Sequence, residues 1–132
     1  MIVGTGLDAV RIDRIRRALS RSPDRFKRRV FTPLEIAQCQ AGRRPESEFA
    51  RRFAAKEAVF KALATGWGRG GRWLDIETRC LAPEENSGGF DLRLAGRAHE
   101  VATKLGMVRS HVSIGGGRTH AMAFVVLEGS RT

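Results

Sequence analysis

Apolar positions recur along this chain with two periods, about two residues and about 3.6, which divide it into strands and helices. The opening stretch Ile2-Val3-Gly4-Thr5-Gly6-Leu7-Asp8-Ala9-Val10 reads as a buried strand, carried by Ile2, Val3, Leu7, Ala9 and Val10. Ile12, Ile15 and Leu19 follow at helical spacing and predict a short basic helix that runs to about Ser20 and stops before Pro23. Thr32-Pro33-Leu34-Glu35 has the form of a capping box with proline at the first helical position, which starts a second helix reaching about Ala41. A loop at 42–45 leads into a long helix ending near Thr65-Gly66. Alternation at 74–81 and 90–94 around a turn at Asn86-Ser87-Gly88-Gly89 predicts a hairpin. Ala98, Val101, Ala102 and Leu105 mark a further helix closed by Gly106. Two strands at 111–114 and 121–127, joined around Gly115-Gly116-Gly117, finish the chain. This is the pattern of one α+β domain over residues 1–132, with no linker, repeat or low-complexity tract.

Within the long helix, Phe53, Lys56, Glu57, Phe60, Lys61 and Ala64 share one half of the cylinder, and Ala54, Ala55, Ala58, Val59 and Ala62 share the other. The alanine side is narrow enough to pack tightly against a neighbour. The other side sets a carboxylate and two amines beside apolar surface, an arrangement suited to holding a hard cation together with anionic oxygens. The plain alternative is a Glu-to-Lys i,i+4 pair contributing ~0.3–0.5 kcal/mol. In the opening strand, Gly4 and Gly6 strip side chains from one face and leave room for a close neighbour, and Asp8 lies on that same face. A buried aspartate needs a partner, whether an arginine, backbone N–H groups or a metal.

A chain of 132 residues fits one domain with a sizeable core. No apolar run approaches the ~20 residues of a membrane span, and the N-terminal apolar stretch has no basic leader, so the cytoplasm is the expected compartment. Cys39 and Cys80 fit no Cys-x-x-Cys pattern and read as reduced structural thiols. The net charge of +10 is localised: residues 11–29 hold nine basic side chains against Asp13 and Asp24, a net +7. Such a surface attracts nucleic acid or an acidic protein. With Phe26 the only aromatic in the segment and no zinc-finger or clear helix-turn-helix pattern, nucleic acid is the weaker reading.

The two motifs, Gly4-Thr5-Gly6-Leu7-Asp8 and, about forty-five residues on, Arg52-Phe53-Ala54-Ala55-Lys56-Glu57-Ala58-Val59-Phe60-Lys61-Ala62, together resemble the signature of the 4′-phosphopantetheinyl transferase superfamily, in particular its small single-unit branch. Val10-Arg11-Ile12-Asp13-Arg14-Ile15, Arg28-Arg29-Val30-Phe31-Thr32-Pro33-Leu34-Glu35 and Ala121-Met122-Ala123-Phe124-Val125-Val126 extend the resemblance over nearly the whole chain. It implies an antiparallel sheet packed with the long signature helix. It also implies Mg2+-dependent transfer of the 4′-phosphopantetheine arm of coenzyme A to a serine of apo acyl-carrier protein, with release of adenosine 3′,5′-bisphosphate, in support of fatty acid biosynthesis.

On this resemblance Asp8 and Glu57 are the metal-binding carboxylates, and Glu57 and Lys61 are catalytic. Glu57 takes the serine proton directly or through a metal-bound water, and Lys61 places its ammonium on the pyrophosphate. Arg52, Lys56, Lys61 and Gly66, the last in a glycine-rich loop around Trp67 that lacks the Walker A lysine, are the coenzyme A contacts. Arg14, Arg17, Arg21, Arg25 and Arg28 dock an acidic carrier protein, and a homotrimer with sites between protomers is expected. One departure stands out: the branch often carries Ser/Thr-His or another polar group after the penultimate strand, where this chain has Gly115-Gly116-Gly117. His99, His111 and His120 are given no catalytic role. A nucleic-acid module would rest on residues 11–29 alone, and a noncatalytic carrier-protein scaffold would not need Asp8 with Glu57.

Overall fold

The computed structural model describes residues 1–64, 71–82 and 89–131. The chain runs β1 (Ile2–Arg11), α1 (Ile12–Arg21), α2 (Pro23–Val30), α3 (Pro33–Gln40), α4 (Pro45–Ala62), a 3₁₀ turn (Trp73–Asp75), β2 (Ile76–Cys80), β3 (Phe90–Leu94), α5 (Gly96–Leu105), β4 (Met107–Gly116) and β5 (His120–Gly129). β1, β5 and β4 form an antiparallel sheet in that order, and β2 pairs with β3 as an antiparallel hairpin.

α4 lies across the inner face of the three-stranded sheet, and the small residues of both elements set the distance. A Cβ on Gly4 would run into the Ala62 carbonyl, and one on Gly6 into the Ala58 carbonyl. The glycines therefore let helix backbone and strand backbone touch. Ala121, Ala123, Val125 and Leu127 of β5 line the same buried layer. The far side of α4 packs against a stack of rings, with Phe31 and Phe49 centred 4.9 Å apart and Phe53 and Trp73 also at 4.9 Å.

Local signals account for two of the helix ends. The Thr32 hydroxyl accepts from Glu35 N–H at 3.3 Å and Glu35 Oε1 accepts from Thr32 N–H at 2.9 Å, so the capping box opens α3 as its sequence indicates. Gly106, at φ 82°, caps α5 in the left-handed conformation.

Besides the greater lengths of β4, which takes in Gly115 and Gly116, and of β5, four readings change. Pro23 ends α1 but also occupies the first turn of α2, a helix whose few apolar residues, Phe26 and Val30, left it unread. β2 begins only at Ile76, because the Asp75 carboxylate accepts from Arg72 N–H at 3.2 Å and winds residues 73–75 into the 3₁₀ turn. The signature helix closes at Ala62, short of Thr65-Gly66, with Ala64 at φ 56° just beyond it. The fourth is β1, which is buried on one face only: Ile2 is 64% and Leu7 58% exposed, whereas Gly6 and Val10 are buried against α4. The predicted turn at 86–89 lies outside the described residues except for Gly89.

Candidate active site

The glycine-lined contact between β1 and α4 is what assembles the site. With Gly4 and Gly6 seated against Ala62 and Ala58, the next inward position of the strand, Asp8, arrives beside Glu57 and Lys61. Lys61 Nζ donates to Asp8 Oδ1 at 2.7 Å and to the Leu7 carbonyl at 3.2 Å. Asp8 is nine-tenths buried, whereas Lys61 is 55% exposed, so the ammonium reaches down from solvent onto a fixed carboxylate. The second oxygen, Asp8 Oδ2, is buried and has no hydrogen-bond partner.

Burial and then the neighbouring Asp8 charge raise the pKa of Glu57 above its ordinary value, with Arg14 and Lys61 acting in the opposite sense. The hydrogen bond to Asp8 raises that of Lys61. Two carboxylates that repel one another, one with a buried orphan oxygen, form a site whose electrostatics a divalent cation would satisfy. Among the described residues no group of three or more His, Cys, Asp or Glu side chains is placed to hold a metal ion. Asp8 and Glu57 offer carboxylate oxygens only, the donors that an ion such as Mg2+ takes in ones or twos beside water and phosphate oxygens.

The other expected coenzyme A contacts fare differently. Lys56 is fully buried: its ammonium pairs with Glu35 Oε1 at 2.7 Å and donates to the carbonyls of Val30, Ile76 and Trp73 at 2.6, 2.7 and 3.1 Å. Burial pulls its pKa down while Glu35 pulls it up. Arg52, 2% exposed, donates to the Thr78 carbonyl at 2.9 Å and to Gln38 Oε1 at 3.1 Å, and its guanidinium lies 4.7 Å from the centre of the Phe90 ring. Both side chains turn into the protein and bond to β2, α3 and the ends of neighbouring elements, with Arg52 Nε buried and left without a partner. Gly66 lies outside the described residues.

A cationic cavity that the sequence reading passed over lies elsewhere. Arg43, Arg44, Ser47, Glu48, Arg51, Gly117 and Arg118 line an open space of about 390 Å³ where the α3–α4 loop meets the β4–β5 turn. Arg51 is engaged by Glu48 at 3.1 Å, whereas Arg43, Arg44 and Arg118 pair with no described carboxylate. The sequence signal is the Gly42-Arg43-Arg44-Pro45 run between α3 and α4, and its meeting with Arg118 is a product of topology.

The basic segment is split over α1 and α2. Asp13 pairs with Arg16 at 2.9 Å and with Arg11 at 3.7 Å. Arg14, Arg17, Arg21, Arg25 and Arg28 are exposed and pair with no described carboxylate. Arg14 also lies 5.5 Å from the centre of the Phe53 ring and close enough to Glu57 to lower its pKa, so the basic face borders the carboxylates. His111 is exposed on β4 and meets Glu128 at 3.1 Å. Cys39 and Cys80 are free thiols, and burial pushes Cys39 up to about 12.

Residues 4–125 match the family described as the 4′-phosphopantetheinyl transferase superfamily. The chain is 44% identical over 133 residues to the holo-[acyl-carrier-protein] synthase of Anaeromyxobacter sp. (strain K), covering 98% of each. It is 41% identical to that of Koribacter versatilis (strain Ellin345), covering 97% of this chain and 99% of the relative. Its fold superposes on the Neisseria meningitidis synthase with a TM-score of 0.82 at 30% identity, over 97% of this chain and 99% of the other. On the Helicobacter pylori synthase in complex with coenzyme A the TM-score is 0.79 at 29% identity, over 94% and 99%. The chain belongs to the 4′-phosphopantetheinyl transferase superfamily, among its holo-[acyl-carrier-protein] synthases.

Proposed function

We propose that this enzyme transfers the 4′-phosphopantetheine group of coenzyme A to a serine of apo acyl-carrier protein, releasing adenosine 3′,5′-bisphosphate, and so supplies the carrier for fatty acid biosynthesis in the cytoplasm. The observation that carries the reading is the convergence of Asp8, Glu57 and Lys61 at one solvent-facing point, with Asp8 Oδ2 left unpartnered. The coenzyme A held by the Helicobacter pylori relative supports the donor substrate.

The chemical problem is attack by a neutral hydroxyl on a pyrophosphate that already bears negative charge. Asp8 and Glu57 are the residues that would hold Mg2+, and the bound ion would supply charge neutralisation at the phosphate oxygens. Lys61, largely exposed at the rim, directs a second positive charge to the same place and stabilises the departing phosphate. Glu57, whose affinity for a proton is raised by its surroundings, accepts the proton of the serine hydroxyl. The arginines of the 390 Å³ cavity suit a phosphate group. The exposed arginines of α1 and α2 suit an acidic carrier protein, and Arg14 places the edge of that docking face next to Glu57, where the serine must arrive.

We further propose a homotrimer. Leu7, Met122 and Phe124 are exposed on the outer face of the sheet, with Leu7 and Phe124 paired in register, and this apolar strip is the surface a second copy would cover.

The test is mass spectrometry of apo acyl-carrier protein incubated with this chain, coenzyme A and Mg2+. The expected result is a mass increase of one phosphopantetheine on the carrier, absent when Mg2+ is chelated; an unchanged carrier mass in the complete mixture would remove the assignment.

A further inference from the structure

Lys56 and Glu35 form a charge pair with no exposed surface on either side chain. Removing both charges from water is expensive, and apolar residues of similar volume pack at lower cost, so the pair is a poor device for stability alone. What it supplies is direction. The one ammonium binds acceptors from four separate elements: Val30 at the end of α2, Glu35 in α3, Trp73 in the 3₁₀ turn and Ile76 at the start of β2. Glu35 is itself fixed, because its carboxylate accepts from Thr32 N–H at 2.9 Å, from Thr78 N–H at 2.9 Å and from the Thr78 hydroxyl at 2.6 Å. One turn earlier, Arg52 grips the Thr78 carbonyl. Residues 52 and 56 stand on one face of α4, and their acceptors Thr78 and Ile76 stand two apart on β2, so the helix is tied to that strand at two points.

On its opposite side α4 meets β1 through Ala58 and Ala62 against Gly6 and Gly4, a close contact that sets the distance between helix and strand. Glu57 and Lys61 must face Asp8, and both follow rigidly from the rotation of the helix about its axis. We infer that Lys56, held by Glu35, is a positioning residue that sets the rotation of α4 and thereby aims Glu57 and Lys61 at Asp8. This rests on the function proposed above and assigns Lys56 no contact with substrate.

The experiment compares the parent with Glu35→Gln, which keeps the shape of Glu35 but removes its charge and one of its two acceptor oxygens, and Lys56→Met, which keeps the stem. Each is titrated with Mn2+ alone by calorimetry and assayed for kcat and for the KM of coenzyme A, well below its melting temperature. The expected result for Glu35→Gln is Mn2+ affinity and kcat both reduced roughly tenfold, the lower end of the range for groups that orient metal ligands, with the KM of coenzyme A within about twofold of the parent. Lys56→Met should lose more of both. If Lys56→Met does not fold, Glu35→Gln decides alone. A folded Glu35→Gln with parental Mn2+ affinity and kcat overturns the positioning role while leaving the transferase reading intact. A raised KM for coenzyme A with unchanged Mn2+ affinity overturns it too, because that pattern belongs to a substrate contact. A parent that neither binds Mn2+ nor transfers the group sinks the function reading and this inference with it.

Discussion

Asp8 and Lys61 meet at 2.7 Å through one carboxylate oxygen, while the other oxygen of Asp8 is buried and unbonded. Asp8 also stands beside the carboxyl group of Glu57, whose affinity for a proton it raises. A cation held by Asp8 and Glu57 would engage that second oxygen. Asp8→Asn should therefore reduce Mg2+-dependent transfer by more than the roughly hundredfold upper range seen when groups merely orienting a metal ligand are lost, with circular dichroism unchanged. Transfer at the parental rate in a folded Asp8→Asn would remove the metal assignment.

Glu57 gives a prediction on stability. Its pKa is raised in the folded protein, so the folded state binds this proton more tightly than the unfolded chain does. The favourable contribution is present below the ordinary value of 4.5 and is lost as pH rises through the raised folded value. At neutral pH, without divalent ions, Glu57→Gln should melt at a higher temperature than the parent. The gap should close below about pH 4.5 and also in excess Mg2+, which stabilises only the parent. A variant that melts lower than the parent at neutral pH without metal would contradict the repulsion between the two carboxylates.

For Lys61 the prediction separates chemistry from packing. The side chain is more than half exposed, so as a surface partner of Asp8 it is worth at most about 1 kcal/mol. Lys61→Met should leave the melting temperature nearly unchanged and lower kcat by about a hundredfold or more, the scale for losing a group that stabilises transition-state charge. Near-normal turnover with a large fall in melting temperature would return Lys61 to the role of a structural ion pair.

The docking face is tested by reversing two exposed charges. Arg14→Glu with Arg21→Glu should raise the KM for carrier protein by about tenfold at low salt and flatten its dependence on ionic strength, since steering acts at long range and is screened. The KM for coenzyme A should move much less. Unchanged carrier kinetics with lost affinity for duplex DNA would favour a nucleic-acid partner instead.

Gly6 tests the contact that brings the site together. Gly6→Ala places a methyl group where the Ala58 carbonyl stands, and backbone cannot step aside as a flexible side chain can. A loss of about 1–3 kcal/mol is expected, with weakened Mn2+ binding, because any shift of α4 also moves Glu57. Parental stability and affinity would show that the helix and strand have slack between them.

Much of this protein is decided by its sequence. The capping box at Thr32 and Glu35, the αL stop at Gly106 and the alanine face of α4 act over one or two turns, so the residues that specify them are neighbours in the chain. Asp8, Glu57 and Lys61 stand out through the resemblance of the two motifs, and the sequence leaves open that the glycine face of β1 and the alanine face of α4 are the surfaces that meet. What only the tertiary structure decided is where long side chains go once the helix is placed. Lys56 and Glu57 are adjacent in sequence, yet one is sealed against Glu35 and three carbonyls while the other faces the solvent-lined site. The same applies to Arg52, drawn inward by Thr78 and Gln38, and to Leu7, left outward by the pleat. The cavity joining Arg43 and Arg44 to Arg118 depends on two distant turns meeting. Helical and strand periods fix which residues share a face, but the acceptors that draw an ammonium inward come from distant segments, and only folding brings them within hydrogen-bonding distance.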